Sequence, residues 1–142
     1  MELRKFIERT AATGILGVKI TQNGEDMGKH LWDEECRRNI YSASKSFTSA
    51  AVGIAVKEGL LRLEERLVDA FSEDIPENPN EFLQQATVRD LLTMCLGQQN
   101  AELMGGQRPF YQQKDWVRMS LAFPFTECPG KRFLYNNVGP YL

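Results

Sequence analysis

The sequence holds a single histidine, His30, among 142 residues. A Ser-His-Asp or Cys-His pair would have to be built on it, and it falls in a run that reads as strand, so it is expected to be an ordinary structural side chain. Cysteine is scarce too. Cys36, Cys95 and Cys128 are odd in number and widely spaced, with no Cys-x-x-Cys pair, which argues against a disulfide framework or a zinc site. They read as reduced thiols, mostly buried, of a cytoplasmic protein. No uncharged apolar run approaches the roughly 20 residues that cross a bilayer. The stretch from Met1 to Thr10 alternates charged and apolar residues and lacks the apolar centre of a signal peptide, so neither membrane anchor nor secretion signal is expected. No charge of one sign dominates: 17 basic against 19 acidic residues leave a net −2. The basic residues are scattered, so there is no positive stripe for a phosphate backbone, and nucleic acid is not an expected partner.

What remains is the pattern of an α+β chain. Its length suits one domain with a real core. Leu3, Phe6, Ile7 and Ala11 recur at helical spacing up to Gly14. Ile15, Leu16, Val18 and Ile20 then lead into Asn23-Gly24, the strongest short hairpin signal, with a return run through Met27, His30, Leu31 and Trp32. From residue 41 the region reads as mainly helical. Phe47, Ala50, Ala51, Ile54 and Ala55 describe a helix closed by Gly59, and its small residues predict that it is buried and central. Ser72 to Asn80 is an acidic, proline-bearing loop. Thr87 is placed to cap a short helix through Asp90, Leu91, Leu92 and Met94 that Gly97 stops. After a polar loop from Gln98 to Pro109, a second helical pattern around Trp116, Met119 and Leu121 runs into Pro124. Pro129-Gly130 makes a turn before Phe133, Leu134 and Tyr135.

Ser42-Ala43-Ser44-Lys45 is a Ser-x-x-Lys at the start of the small-residue helix, and a separation of three puts both side chains on one helical face. A serine hydroxyl needs a base to become a nucleophile, and a lysine serves if burial and the positive helix N-terminus leave it neutral. By itself the tetrapeptide is weak: six serines and seven lysines in this chain give about 0.3 such pairs by chance. The alternative is a plain helix start with Ser42 or Ser44 as cap and Lys45 in solvent. Tyr135-Asn136-Asn137 supplies a second element, a Tyr-x-Asn whose chance expectation is about 0.2.

With both in this order, the chain resembles the β-lactamase-related serine hydrolases, most of all the class C β-lactamases, D-alanyl-D-alanine peptidases and related esterases. The likeness runs through Tyr41 to Phe47, Gly59-Leu60, Thr87 to Thr93 and Pro129 to Asn137. It implies Ser42 as the acylated nucleophile, Lys45 as the group that takes its proton, and Tyr135 as a second proton-transfer residue. Asn137 would bind substrate and hold Lys45. The resemblance further implies the first part of the β-lactamase/transpeptidase-like fold, with residues 1–40 as helix plus hairpin and 41–142 as the helical region carrying both motifs. The substrate would be a small or peptide-like amide, ester or β-lactam, and no cofactor or metal is called for.

Two departures qualify that expectation. The family's third motif, a Lys or His followed by Ser or Thr and then Gly, does not occur in these 142 residues. The strand that bears it supplies half of the oxyanion hole, and one lost donor costs on the order of 10²–10³ in rate. Relatives also continue well past the second motif. The expectation is therefore a truncated, single hydrolase domain, weakly active or inactive by itself. The alternative is a non-catalytic binding module on the same scaffold, completed by a partner or by a second copy through an exposed sheet edge. A smaller departure, Met94-Cys95-Leu96-Gly97 where relatives carry histidine and hydroxyl residues, bears on packing.

Overall fold

The computed structural model describes residues 3–142, so Met1 and Glu2 of the amino-terminal stretch lie outside the described residues. The element order is that of the α+β reading: helix, two-stranded antiparallel hairpin, then helices. The chain forms two units, residues 1–40 and 41–142.

In the first unit, helix α1 (Arg4–Thr10) carries Phe6 and Ile7 and is followed by a turn ending at Gly14. Strands β1 (Gly17–Gln22) and β2 (Glu25–Leu31) pair in the register Gly17 to Leu31, Val18 to His30 and Ile20 to Gly28, with an irregularity between Ile20 and Thr21. Asn23 and Gly24 have φ of 52° and 83°. Two consecutive left-handed residues are what a two-residue hairpin turn of type I′ demands, and asparagine and glycine tolerate them best. His30 sits on β2 with its ring edge-on to Trp32 at 4.6 Å, and Phe6 meets the same indole at 6.2 Å. None of the described side chains in this unit is buried.

The second unit opens with a 3₁₀ turn, Tyr41–Ser44, that runs directly into helix α2 (Lys45–Lys57). Gly59 ends α2: its N–H donates to Val56 O and that of Leu60 to Ala55 O, which satisfies two terminal carbonyls with a left-handed glycine at φ 75°. Four short helices follow, α3 (Leu67–Ala70), α4 (Glu81–Gln85), α5 (Val88–Thr93) and α6 (Trp116–Ala122), and then α7 (Val138–Tyr141). Helices α3 and α4 have too few turns to show a period in the sequence. Asn80, in the loop read as solvated, caps α4 by accepting from Leu83 N–H at 2.9 Å. Asp90 closes the start of α5, its Oδ2 accepting from both the Thr87 N–H and its hydroxyl, at 2.9 and 2.6 Å. The helix stops at Met94, itself left-handed at φ 55°, three residues before the expected Gly97. Gly97 instead serves a close approach, since a Cβ there would collide with the backbone of Glu127, where the two segments lie in contact. The core collects Leu67, Leu83, Leu91, Leu96, Leu103, Leu121, Phe125 and Val138.

One expectation fails. Helix α2 is not buried: Phe47 is 71% and Ile54 57% exposed, and no residue of the helix is fully covered. Between α2 and helices α5 and α7 lies an unfilled apolar recess of about 290 Å³, with Thr48 and Val52 on one side and Leu91 and Gly139 on the other. Small side chains let elements approach α2, but no described element of this unit covers its outer face. The thiols differ from expectation as well, since Cys36 is exposed and Cys95 and Cys128 are half-buried.

Two substitutions test this distribution by urea unfolding. Phe47→Ser, at an exposed site, should change the unfolding free energy by no more than about 0.5 kcal/mol. Gly97→Ala adds both the collision and a strained φ, and should cost about 2 kcal/mol or more. Equal losses from the two would mean that α2 is covered in solution.

Candidate active site

The four residues singled out by sequence all lie in the second unit, on two segments. Ser42 stands in the 3₁₀ turn and Lys45 is the first residue of α2. Tyr135 belongs to the irregular stretch after the Gly130 turn, and Asn137 is the residue before α7. Lys45 Nζ joins them: it donates to Ser42 Oγ at 3.1 Å and to Asn137 Oδ1 at 2.8 Å. The same nitrogen lies 5.2 Å from the centre of the Tyr135 ring.

Local backbone geometry explains the placement. Tyr41, immediately before Ser42, has φ of 47°, a left-handed value that costs a non-glycine residue on the order of 1–2 kcal/mol. Such strain survives only where surrounding structure imposes it. On the second segment, Leu134 N–H donates to Met94 O at 2.9 Å, tying the stretch to the left-handed end of α5. Asn136 is 1% exposed and structural: its Nδ2 donates to Leu134 O and its Oδ1 accepts from Gly139 N–H. Its neighbour Asn137 is therefore turned the other way, toward Lys45.

Electrostatics couple the group. The Ser42 hydroxyl and, after it, the Lys45 ammonium hold the Tyr135 phenol below the ordinary tyrosine range. Partial desolvation pushes the other way and is outweighed. Tyr135 is 38% exposed, so it titrates in contact with solvent.

The family model described as Beta-lactamase matches residues 3–141. The chain belongs to the beta-lactamase family. Among solved structures it is similar to a candidate 6-aminohexanoate-dimer hydrolase from Bacillus anthracis, at 17% identity and a TM-score of 0.61, over 99% of this chain and 40% of that one. That likeness is one of fold, and this beta-lactamase-family chain spans well under half of its neighbour's length. No curated protein matches the sequence.

A surface concavity of about 660 Å³ between Gln113 and Phe123 contains none of the four residues. In this family member the candidate site is a hydrogen-bonded cluster and not that concavity. Sequence reasoning missed what holds Asn137 from behind. Its N–H donates to Glu102 O at 3.1 Å, and its Nδ2 donates to Leu103 O at 2.9 Å and touches Met104 Sδ at 3.6 Å. These are mostly main-chain acceptors in a loop, which leave no side-chain signature.

The coupling has a measurable sign. Because Ser42 and Lys45 stabilise the phenolate, Ser42→Ala and Lys45→Met should each raise the Tyr135 titration midpoint toward that of free tyrosine. Ultraviolet difference titration, with Tyr135→Phe to assign the step, reads this directly. An unmoved midpoint in both variants would contradict the contact.

Proposed function

We propose that this chain carries the nucleophile and proton-transfer groups of a serine hydrolase that acts on an amide, ester or β-lactam through an acyl-enzyme on Ser42. The observation that carries the reading is the placement of Lys45 Nζ between Ser42 Oγ and Asn137 Oδ1 beside the Tyr135 phenol. Hydrolysis is also what the description of the Bacillus anthracis protein names.

In the proposed reaction the Ser42 proton passes to the Lys45–Tyr135 pair as Oγ bonds to the carbonyl carbon, giving a tetrahedral oxyanion. The pair returns a proton to the departing amine or alkoxide as its bond to carbon breaks. Water then attacks the acyl carbon and loses its proton to the same pair, which passes it to Ser42 Oγ as the acyl bond breaks, restoring the serine hydroxyl. In the first step Lys45 acts as the neutral amine, so the contact drawn from Lys45 to Ser42 is reversed: one of its hydrogens stays on Asn137 Oδ1 and its lone pair takes the Ser42 proton. Asn137 also offers polar contact to substrate. How the proton is divided between Lys45 and Tyr135 is a property of the coupled pair.

Residues 1–142 are read as one incomplete hydrolase domain, in which turnover is weak or absent because one oxyanion donor is lacking. The second reading, a binding module completed by a partner or a second copy, is favoured by two observations: the described sheet has only two strands, and α2 presents apolar side chains to solvent. Among the described residues no helix is long and apolar enough to cross a membrane. A cytoplasmic setting is proposed on the three free thiols.

Labelling with a fluorophosphonate or a labelled penicillin, followed by intact-mass analysis, should show one adduct, located on Ser42 and lost in Ser42→Ala. Lys45→Met should slow labelling by on the order of 10²–10⁴. Absence of any Ser42 adduct, in this chain or in a longer one that contains it, would overturn the hydrolase reading. Rapid turnover of a chromogenic cephalosporin by residues 1–142 would overturn the claim of weak activity. A clean monomer in size-exclusion chromatography with light scattering would count against self-assembly.

A further inference from the structure

Among the described residues, Leu103 is the one bulky, buried residue on the Asn137 side of the site with a left-handed backbone, at φ 57° and 2% exposed. A leucine does not choose that region, so neighbouring bonds must impose it. In extended chain, successive carbonyls alternate in direction, whereas a left-handed residue can turn two consecutive peptides the same way. That is the arrangement found. The carbonyls of Glu102 and Leu103 both accept from Asn137, one from its N–H and one from its Nδ2. The N–H groups on the far ends of those same two peptides go elsewhere: Leu103 N–H donates to the Tyr111 hydroxyl at 3.3 Å, and Met104 N–H donates to Gln107 Oε1 at 2.8 Å.

Each of those two side chains is itself held. The Tyr111 hydroxyl donates to Glu102 Oε2 at 2.8 Å, and its ring packs on Trp116 and Phe123 at 6.1 Å. Gln107 Nε2 donates to Ala101 O at 2.9 Å. Arg108 Nε adds a longer contact of 3.3 Å to Leu103 O.

We propose that Gln107 and Tyr111 are positioning residues for the active site, which fix the Leu103 carbonyl and through it the orientation of the Asn137 amide. An asparagine amide can turn over, exchanging its oxygen for its nitrogen. With the Leu103 carbonyl in place, turning over would set oxygen against oxygen at Leu103 and N–H against ammonium at Lys45. The bracket therefore keeps Oδ1 on Lys45. Neither Gln107 nor Tyr111 touches the reacting groups. The catalytic meaning rests on the hydrolase reading above, but the positioning itself is independent of it.

The test uses the whole chain labelled with ¹⁵N at asparagine and ¹³C at tyrosine, with the Asn137 side-chain amide assigned by its loss in Asn137→Asp. In the double variant Gln107→Met with Tyr111→Phe, proton exchange of that amide should quicken by about tenfold or more. The Tyr135 titration midpoint should rise as Lys45 is released. Gln107→Glu keeps an acceptor for Met104 N–H while losing the donation to Ala101 O, and should exchange more slowly than Gln107→Met. Tyr111→Phe keeps the packed ring, and if the double variant does not fold, this single variant carries the same criterion. An acceleration below about fivefold overturns the proposal. So does a Gln107→Glu chain that exchanges as fast as Gln107→Met, since the effect would then follow packing and not the acceptor. None of these readouts needs turnover, so an unlabelled Ser42 would sink the hydrolase reading alone.

Discussion

The site depends on one ammonium group that holds together two segments far apart in sequence. Lys45 Nζ bonds to Ser42 three residues before it and to Asn137 ninety-two residues after it. Hydrogen bonds to a charged group contribute roughly 1.5–3 kcal/mol when sheltered and less where water competes, as it does on the Ser42 side. The consequence is less one of stability than of geometry. That bridge joins the start of α2 to the approach to α7 at the position where acyl chemistry would occur.

Both segments meet the bridge under backbone constraint. Tyr41 and Leu103 adopt left-handed conformations next to Ser42 and Asn137, so the two groups that flank Lys45 are each presented by a strained residue. Strain of this kind resists relaxation only in a well-packed setting. The core around Leu91, Leu96, Leu121 and Val138 provides it on the Asn137 side. On the Ser42 side the support is thinner, because α2 lies against an unfilled recess and its outer face is open.

That asymmetry bears on function. Burying a leucine- or phenylalanine-sized side chain is worth about 1.5–3 kcal/mol, so Phe47 and Ile54 together represent a sizeable unrealised gain. A hairpin of two strands has two unpaired edges, which also invite a neighbour. The candidate catalytic groups are thus gathered by the packed half of the second unit, while the surfaces that would support Ser42 remain open. Hydrolase and completed-by-a-partner readings share this single cause.

Much of this protein could be read along the chain, because the relevant physics is local. Asn23-Gly24 demands a hairpin turn, the three-residue spacing of Ser42 and Lys45 puts them on one helical face, and Thr87 and Asp90 make a cap. The Tyr-x-Asn at Tyr135 to Asn137 pointed to a family that the match over residues 3–141 then established. Local rules failed where the outcome depended on what lies next to an element. The spacing and small residues of α2 were right for a helix but could not say whether anything covers it. The left-handed Met94, which ends α5 early, follows from contacts to Leu134 and not from its own preference. Nor could any pattern of side chains announce that two main-chain carbonyls, at Glu102 and Leu103, orient the amide of Asn137. Spacing determined which groups could take part in the chemistry; only the tertiary structure, by bringing Asn137 across to Lys45, decided that they meet.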